Sequence, residues 1–271
     1  MRKLWRLVVA LAFAALAYPA AAADIPVDLE LVLAIDVSGS IDEEEAALQR
    51  EGYMAALADA DVISAIKGGS NGRIAVTYVE WSNAELQRIV VDWRVIDGLD
   101  TARQFVEALK ANPPARGRFT SISGAIDFAV PMFTGNGFEG SRKAIDVSGD
   151  GPNNRGRRVT DARDDAIAHG ITINGLPIVN DRPNFFGRPP ADLDLYYRDC
   201  VIGGPGALYV IAKDFQSFAN AIRRKLILEV SGARPDPSEV KPLLHLAADE
   251  AGRCEMGESE FRGRFYQQNR N

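Results

Sequence analysis

Asp36, Ser38 and Ser40 occupy alternate positions in one short turn, Asp36-Val37-Ser38-Gly39-Ser40. If that turn curls over a sheet edge, three small oxygen side chains enter one cleft. Two other segments carry the same kind of atom. Thr120 begins Thr120-Ser121-Ile122-Ser123-Gly124-Ala125-Ile126, and Asp150 lies in Ser148-Gly149-Asp150-Gly151. Carboxylates and hydroxyls together suit a hard cation such as Mg2+, which takes oxygens in near-octahedral array and retains several waters.

These residues need a scaffold that brings three loops to one edge. Leu29 to Ile35 is nearly all apolar, as in a strand buried on both faces of a parallel sheet. Asp42-Glu43-Glu44-Glu45 opens a helical stretch expected to reach about Ala60. Arg73–Trp81 and Leu86–Val95 read as two strands of a hairpin. Phe105, Val106 and Leu109 mark an amphipathic helix closed by Asn112-Pro113-Pro114, and Ile122, Ala125, Ile126, Ala129, Val130 and Phe133 form one helix face. Further strands are expected at Lys143–Ser148, Ile171–Val179 and Leu208–Ala212. Helices are expected over Arg163–His169 and after a cap at Asp214, the last with a core face of Phe215, Phe218, Ala219 and Ile222. This alternation predicts an α/β fold, a doubly wound, mostly parallel sheet with helices on both faces. Ligands bind such sheets at the carboxyl ends of the strands, where Asp36 and Asp150 stand. Asn180 to Asp199, with Pro183, Pro189 and Pro190, reads as a long surface loop.

Composition narrows the function. The 271 residues are 46% hydrophobic and 25% charged, an ordinary globular balance. Thirty-one basic against 37 acidic residues give a net charge of −6, so a general grip on nucleic acid or anionic lipid is not expected. Two His and two Cys exclude a multi-cysteine zinc cluster. Arg2, Lys3 and Arg6 precede an apolar run from Leu7 to Ala17 and small residues at Ala20 to Ala23. That is the pattern of a secretory signal peptide over residues 1–23, and the run is too short to span a bilayer. The expected mature protein is acidic, lacks a transmembrane segment and is periplasmic or extracellular. Residues 24–230 form its one domain and 231–271 a tail. Cys200 and Cys254 either pair there, tying the tail to the domain, or stay free or pair between molecules.

Asp-x-Ser-x-Ser, the Thr120 helix start and Ser-Gly-Asp-Gly, in this order, resemble the metal-ion-dependent adhesion site of von Willebrand factor A domains. The likeness runs from about Asp28 to Val230. More narrowly, Ile145–Asn154, Gly170–Pro177 and Arg198–Gly206 resemble an uncharacterised bacterial family of secreted A-domain-like proteins. The resemblance implies that Ser38, Ser40 and Thr120 contact an Mg2+ or Mn2+ ion, with Asp36 and Asp150 contacting it directly or through water. A vacant position on the ion would accept an Asp or Glu from a protein partner. The chain departs from the usual pattern at Arg118-Phe119, where small glycines are the rule.

Several residues admit plainer readings. Ser40 and Glu43 have capping-box spacing, so Ser40 could cap the next helix. Glu43–Glu45 reads as a solvated helix start rather than a second cation site. Asp146 reads as a hydrogen-bonded buried carboxylate, and Trp81 as either core or partner surface. His169 and His245 read as structural or exposed. Gly135-x-Gly137-x-x-Gly140 precedes a strand and so is no dinucleotide fingerprint. Two other functions compete with a metal-dependent binding module. One is an Mg2+-dependent hydrolase or phosphotransferase with Asp36 as nucleophile, which lacks a second acid at Ser38. The other is an A-type fold that binds partners without metal. The expectation is a binding protein with no catalytic residues.

Overall fold

Burial on alternating sides places the central strand. The computed structural model describes residues 23–179, 192–213, 217–232 and Cys254. In it Ile25–Val27 forms a short strand, β1, and Glu30–Asp36 forms β2. Leu31, Leu33 and Ile35 enter one core while Val32 and Ala34 enter the other, as expected of a strand covered on both faces.

Asp42 starts α1 (Glu43–Leu57). Its side chain accepts from Glu45 N at 2.8 Å, and the Glu45 carboxylate accepts from Asp42 N at 3.0 Å. The capping box is therefore Asp42 with Glu45, which leaves Ser40 free of that duty. The helix stops short of Ala60, because Asp59 accepts from Asp61 N and caps a separate helix, α2 (Ala60–Lys67). The hairpin follows as β3 (Ile74–Trp81) and β4 (Gln87–Ile96), then α3 (Leu99–Lys110). Next come α4 (Ile122–Ala129) with a 3-10 turn at Val130–Phe133, β5 (Phe138–Gly140) and β6 (Lys143–Gly149). The chain continues through α5 (Val159–Ala168), β7 (Thr172–Pro177) and α6 (Leu193–Tyr196), which runs into a π-helical turn at Tyr197–Val201. The last described helix is α7 (Phe218–Ser231).

The main sheet has the order β4-β3-β2-β6-β7, parallel except for the antiparallel β3–β4 pair. Helices α1, α2, α3 and α7 cover one face, and α4, α5 and the α6 segment cover the other. Each fully buried Phe, Leu or Ile, such as Phe218 or Ile222 on α7, contributes roughly 1.5–3 kcal/mol. The strand order reverses between β2 and β6, so their carboxyl ends flank the crevice where ligands of such sheets bind.

Three expectations need correction. Leu208–Ala212 is not a strand; it meets β7 and the residue after it through isolated bridges at Gly175–Tyr209 and Ile178–Ala212. Gly175 N donates to the Leu208 carbonyl, but Pro177, next in the ladder, has no N–H to continue it. The α5 helix begins four residues before Arg163, and residues 193–201 are helical rather than loop. The two-stranded sheet of β1 and β5 went unforeseen, since three-residue strands carry too little period.

Cys200 and Cys254 form a disulfide. With a sequence separation of 54, loop-closure entropy makes it worth about 4 kcal/mol. Residues 1–22 of the expected signal peptide, residues 180–191, Asp214, Phe215, His245 and the tail beyond Gly232 except Cys254 lie outside the described residues. Among the described residues no helix is long and apolar enough to cross a membrane.

Candidate metal centre

The backbone of the first loop holds Asp36 and turns two hydroxyls toward Asp150. Val37 N still donates to the Trp81 carbonyl, prolonging the β2–β3 pairing, after which Ile41 N donates back to Ser38 O and closes a turn. Within it Ser38 N donates to Asp36 Oδ1 at 2.7 Å, the Ser38 and Ser40 hydroxyls lie 3.0 Å apart, and Ser40 Oγ donates to Asp150 Oδ1 at 2.6 Å. Four of the five expected residues are thus joined directly. Asp36, Ser38, Thr120 and Asp150 are buried, and Ser40 is half-buried at the rim.

Thr120 is placed by its main chain. Its N–H donates to Asn154 Oδ1 at 3.0 Å, and its carbonyl accepts from Asn154 N at 2.8 Å. This reciprocal bond sets the Thr120 loop against the Asp150 loop. A Cβ at Gly151 would lie 3.8 Å from Thr120 Oγ1, so the hydroxyl sits over the residue after Asp150. Ser82 Oγ donates to the Phe119 carbonyl at 2.6 Å and Ser121 N to the Ser82 carbonyl, tying the same loop to the end of β3. Phe119 lies under the Arg155 guanidinium, 4.1 Å from its ring centre, and is half-buried.

The electrostatics of the pair are unfavourable as it stands. Burial, then the nearby Asp150 charge, pushes Asp36 well above the usual carboxylate range. Burial pushes Asp150 up to about 6, against the lowering effect of the Ser40 hydrogen bond. Asp36 Oδ2 and Asp150 Oδ2 are both buried without a hydrogen-bond partner. Among the described residues neither carboxylate has a lysine or arginine ion pair. Two buried acids, two orphaned oxygens and neighbouring hydroxyls are a donor set that fits a hard divalent cation. No group of three or more His, Cys, Asp or Glu able to hold a metal gathers among the described residues, so hydroxyls would have to complete the donor set that Asp36 and Asp150 begin.

The other residues singled out in the sequence separate from the centre. Trp81 is fully buried against the α4 face, and it is core rather than partner surface. Glu45 is buried in its capping box, while Glu43 is exposed and pairs with Arg116 at 2.9 Å. His169 caps the end of α5 and is exposed. Sequence reasoning missed the positioning groups Ser82, Asn153 and Asn154. It also missed buried Glu80, which pairs with Arg50 and Arg88 and accepts from Ala115 N to anchor the loop before Thr120. The two asparagines behind the Asp150 turn were the available signal, since Asn side chains commonly bond nearby backbone.

Solved structures share this fold, which is that of a von Willebrand factor A domain. Proximal thread matrix protein 1 from the mussel byssus, in a structure described as having a zinc-occupied MIDAS motif, superposes with a TM-score of 0.57 at 14% identity. The match covers 77% of this chain and 49% of that one. A von Willebrand factor type A protein from Catenulispora acidiphila gives 0.52 at 15%, covering 76% and 43%. The pilus adhesin SpaC from Lactobacillus rhamnosus GG gives 0.51 at 13%, covering 76% and 31%. The chain therefore spans about half the length of these proteins or less, and the likeness is one of fold. No curated protein matches the sequence. The sequence model of the family described as "Protein of unknown function (DUF1194)" matches residues 26–234, and the chain belongs to that family.

Proposed function

We propose that this protein is a metal-dependent protein-binding module that works outside the cytoplasm. The observation that carries the reading is the buried Asp36–Asp150 pair, whose free oxygens meet no cation from the described chain. Ser38, Ser40, Thr120, Asp36 and Asp150 would hold one Mg2+ or Mn2+. When bound, such an ion supplies positive charge and an exchangeable position for a carboxylate. The chain's own work is positional. Ser38 N fixes one oxygen of Asp36, Ser40 fixes one oxygen of Asp150, and Asn154 holds the Thr120 loop in place.

The partner on this reading is a protein presenting an Asp or Glu. An acidic chain repels an acidic partner at long range, so attraction has to be local. A cavity of about 220 Å³ beside the first loop, walled by Val37, Ile41, Ala46, Pro113 and Pro114, offers room for a flanking side chain. Asp36 is fully buried, which favours binding over nucleophilic attack. The Cys200–Cys254 disulfide supports a periplasmic or extracellular location.

The test is capture of partners from envelope extract with Mg2+ and with chelator in parallel, using wild type and Thr120→Ala. Binding should require the metal and weaken in Thr120→Ala, whose fold is kept because a loop hydroxyl carries little packing. Binding that survives both chelation and the substitution would sink the reading.

A further inference from the structure

Behind the carboxylate pair stands a segment that the five expected ligands do not include. Helix α6 passes without a break into the π-helical turn Tyr197–Val201, an irregularity often found at functional sites. The turn is pinned by the Cys200–Cys254 disulfide, both of whose cysteines are buried in the core beside Tyr197 and Val201.

Two consecutive tyrosines, the last residue of α6 and the first of the turn, face the centre. Tyr196 Oη accepts from Asn153 N at 3.2 Å, and the Asn153 side chain in turn accepts from Ser123 N and Ser123 Oγ and donates to the Arg157 carbonyl. It thereby supports the loop after Asp150. Tyr197 is fully buried, and its hydroxyl has no hydrogen-bond partner. That hydroxyl and Asp36 Oδ2, itself unpartnered, border one point. A Cβ added to Gly149 would come 2.9 Å from each of them. Glycine at this position keeps the space between the two free of a side chain. A phenylalanine would fill the space of Tyr197 without burying a polar atom, so the hydroxyl opposes folding unless something uses it.

We propose that Tyr197 is a positioning residue for the metal centre, its hydroxyl, unpartnered in the metal-free chain, being placed to donate to Asp36 Oδ2 and orient it once an ion is bound, while the disulfide-pinned turn holds the ring. The inference rests on the metal-binding reading above. A neighbour that orients a ligand typically changes metal affinity by roughly 10- to 100-fold when it is lost. It has no such effect on folding of the metal-free chain.

The experiment uses the oxidised protein, wild type and Tyr197→Phe, titrated calorimetrically with Mg2+ alone and with Mn2+ alone. Each is also melted without metal and scanned for tyrosine ultraviolet difference absorbance on metal addition. Tyr197→Phe is expected to melt no lower than wild type without metal, to bind the ion roughly tenfold more weakly and to lose part of the difference spectrum. A purely structural tyrosine would lower the metal-free melting point and leave affinity alone, which would overturn the proposal. Equal affinities in the two proteins would overturn it as well, with the metal reading intact. A wild type that binds neither ion would overturn both together.

Discussion

Two pairs of carboxylates buried among the described residues are handled in opposite ways. Asp146 on β6 and Glu229 on α7 lie under the helical face with Lys225 between them, fully buried. Lys225 Nζ is 2.6 Å from Asp146 Oδ1, an ion pair by distance without hydrogen-bond alignment, and it also donates to Glu229 Oε1. Asn174 Nδ2 donates to the same Glu229 oxygen at 2.7 Å. Asp36 and Asp150 at the sheet edge have hydroxyls and a backbone N–H, but no cation from the described chain. Burying an acid pair is costly unless a positive charge answers it. Where the chain provides that charge the pair is structural. Where it does not, the pair is left short of a positive charge, which on the proposed reading an ion from outside supplies.

The largest expected effect comes from making the two pairs alike. Lys225→Met leaves Asp146 and Glu229 without their cation and should destabilise the protein by about 3–5 kcal/mol in urea unfolding. A loss below about 1 kcal/mol would mean that the inner pair never depended on its lysine. Asp150→Ala should act in two directions. Removing a buried acid held near pKa 6 should raise metal-free stability by about 3 kcal/mol at neutral pH. The same change abolishes stabilisation by Mg2+, which in wild type reaches about 2.7 kcal/mol at a hundredfold excess over Kd. Thermal melts with and without Mg2+ check both halves, and an equal metal response in the two proteins would break the comparison.

The inner pair also sets a pH dependence. Burial, then the Asp146 charge, raises Glu229 to about 7, above the range of an unfolded glutamate. Between about pH 4.5 and 7 the folded state therefore holds a proton that the unfolded chain releases. Stability should fall as pH rises through that window and level off above it. Metal-free Asp36 and Asp150 add the same sign. Glu229→Gln should flatten the inner share, visible as a smaller difference between melts at the two ends of the window. The smallest effect is that of Thr120→Ala on stability, expected within about 1 kcal/mol, against a clear loss of partner binding.

Much of this contrast is legible in the chain itself. Asp36, Ser38, Ser40, Thr120 and Asp150 stand at strand ends and a helix start that hydrophobic period alone marks out, because strands buried on both faces and amphipathic helices announce themselves locally. The groups that hold them do not. Lys225 lies three residues after Ile222, but nothing near it in sequence marks its partner; only the packing of α7 onto β6 reveals Asp146, far back in the chain. The neighbours of Tyr197, Asn153 and Glu80 named above also lie tens of residues away, at Gly149, Tyr196 and Arg50. Trp81, left open between core and surface, is decided by the α4 helix that covers it. The break at Asp59 and the failed strand at Leu208–Ala212 turn on one cap and one missing N–H, each too local for a periodic pattern to register.

The most direct test of the central claim is a crystal structure of the protein grown with Mn2+, with anomalous diffraction collected at the manganese edge. The account predicts one strong peak at the carboxyl ends of β2 and β6, within coordination distance of the Ser38, Ser40 and Thr120 hydroxyls and facing Asp36 and Asp150. It predicts no peak between Asp146 and Glu229, where Lys225 already stands. A manganese-loaded crystal with an empty edge, or with the ion beside the inner pair, would contradict it.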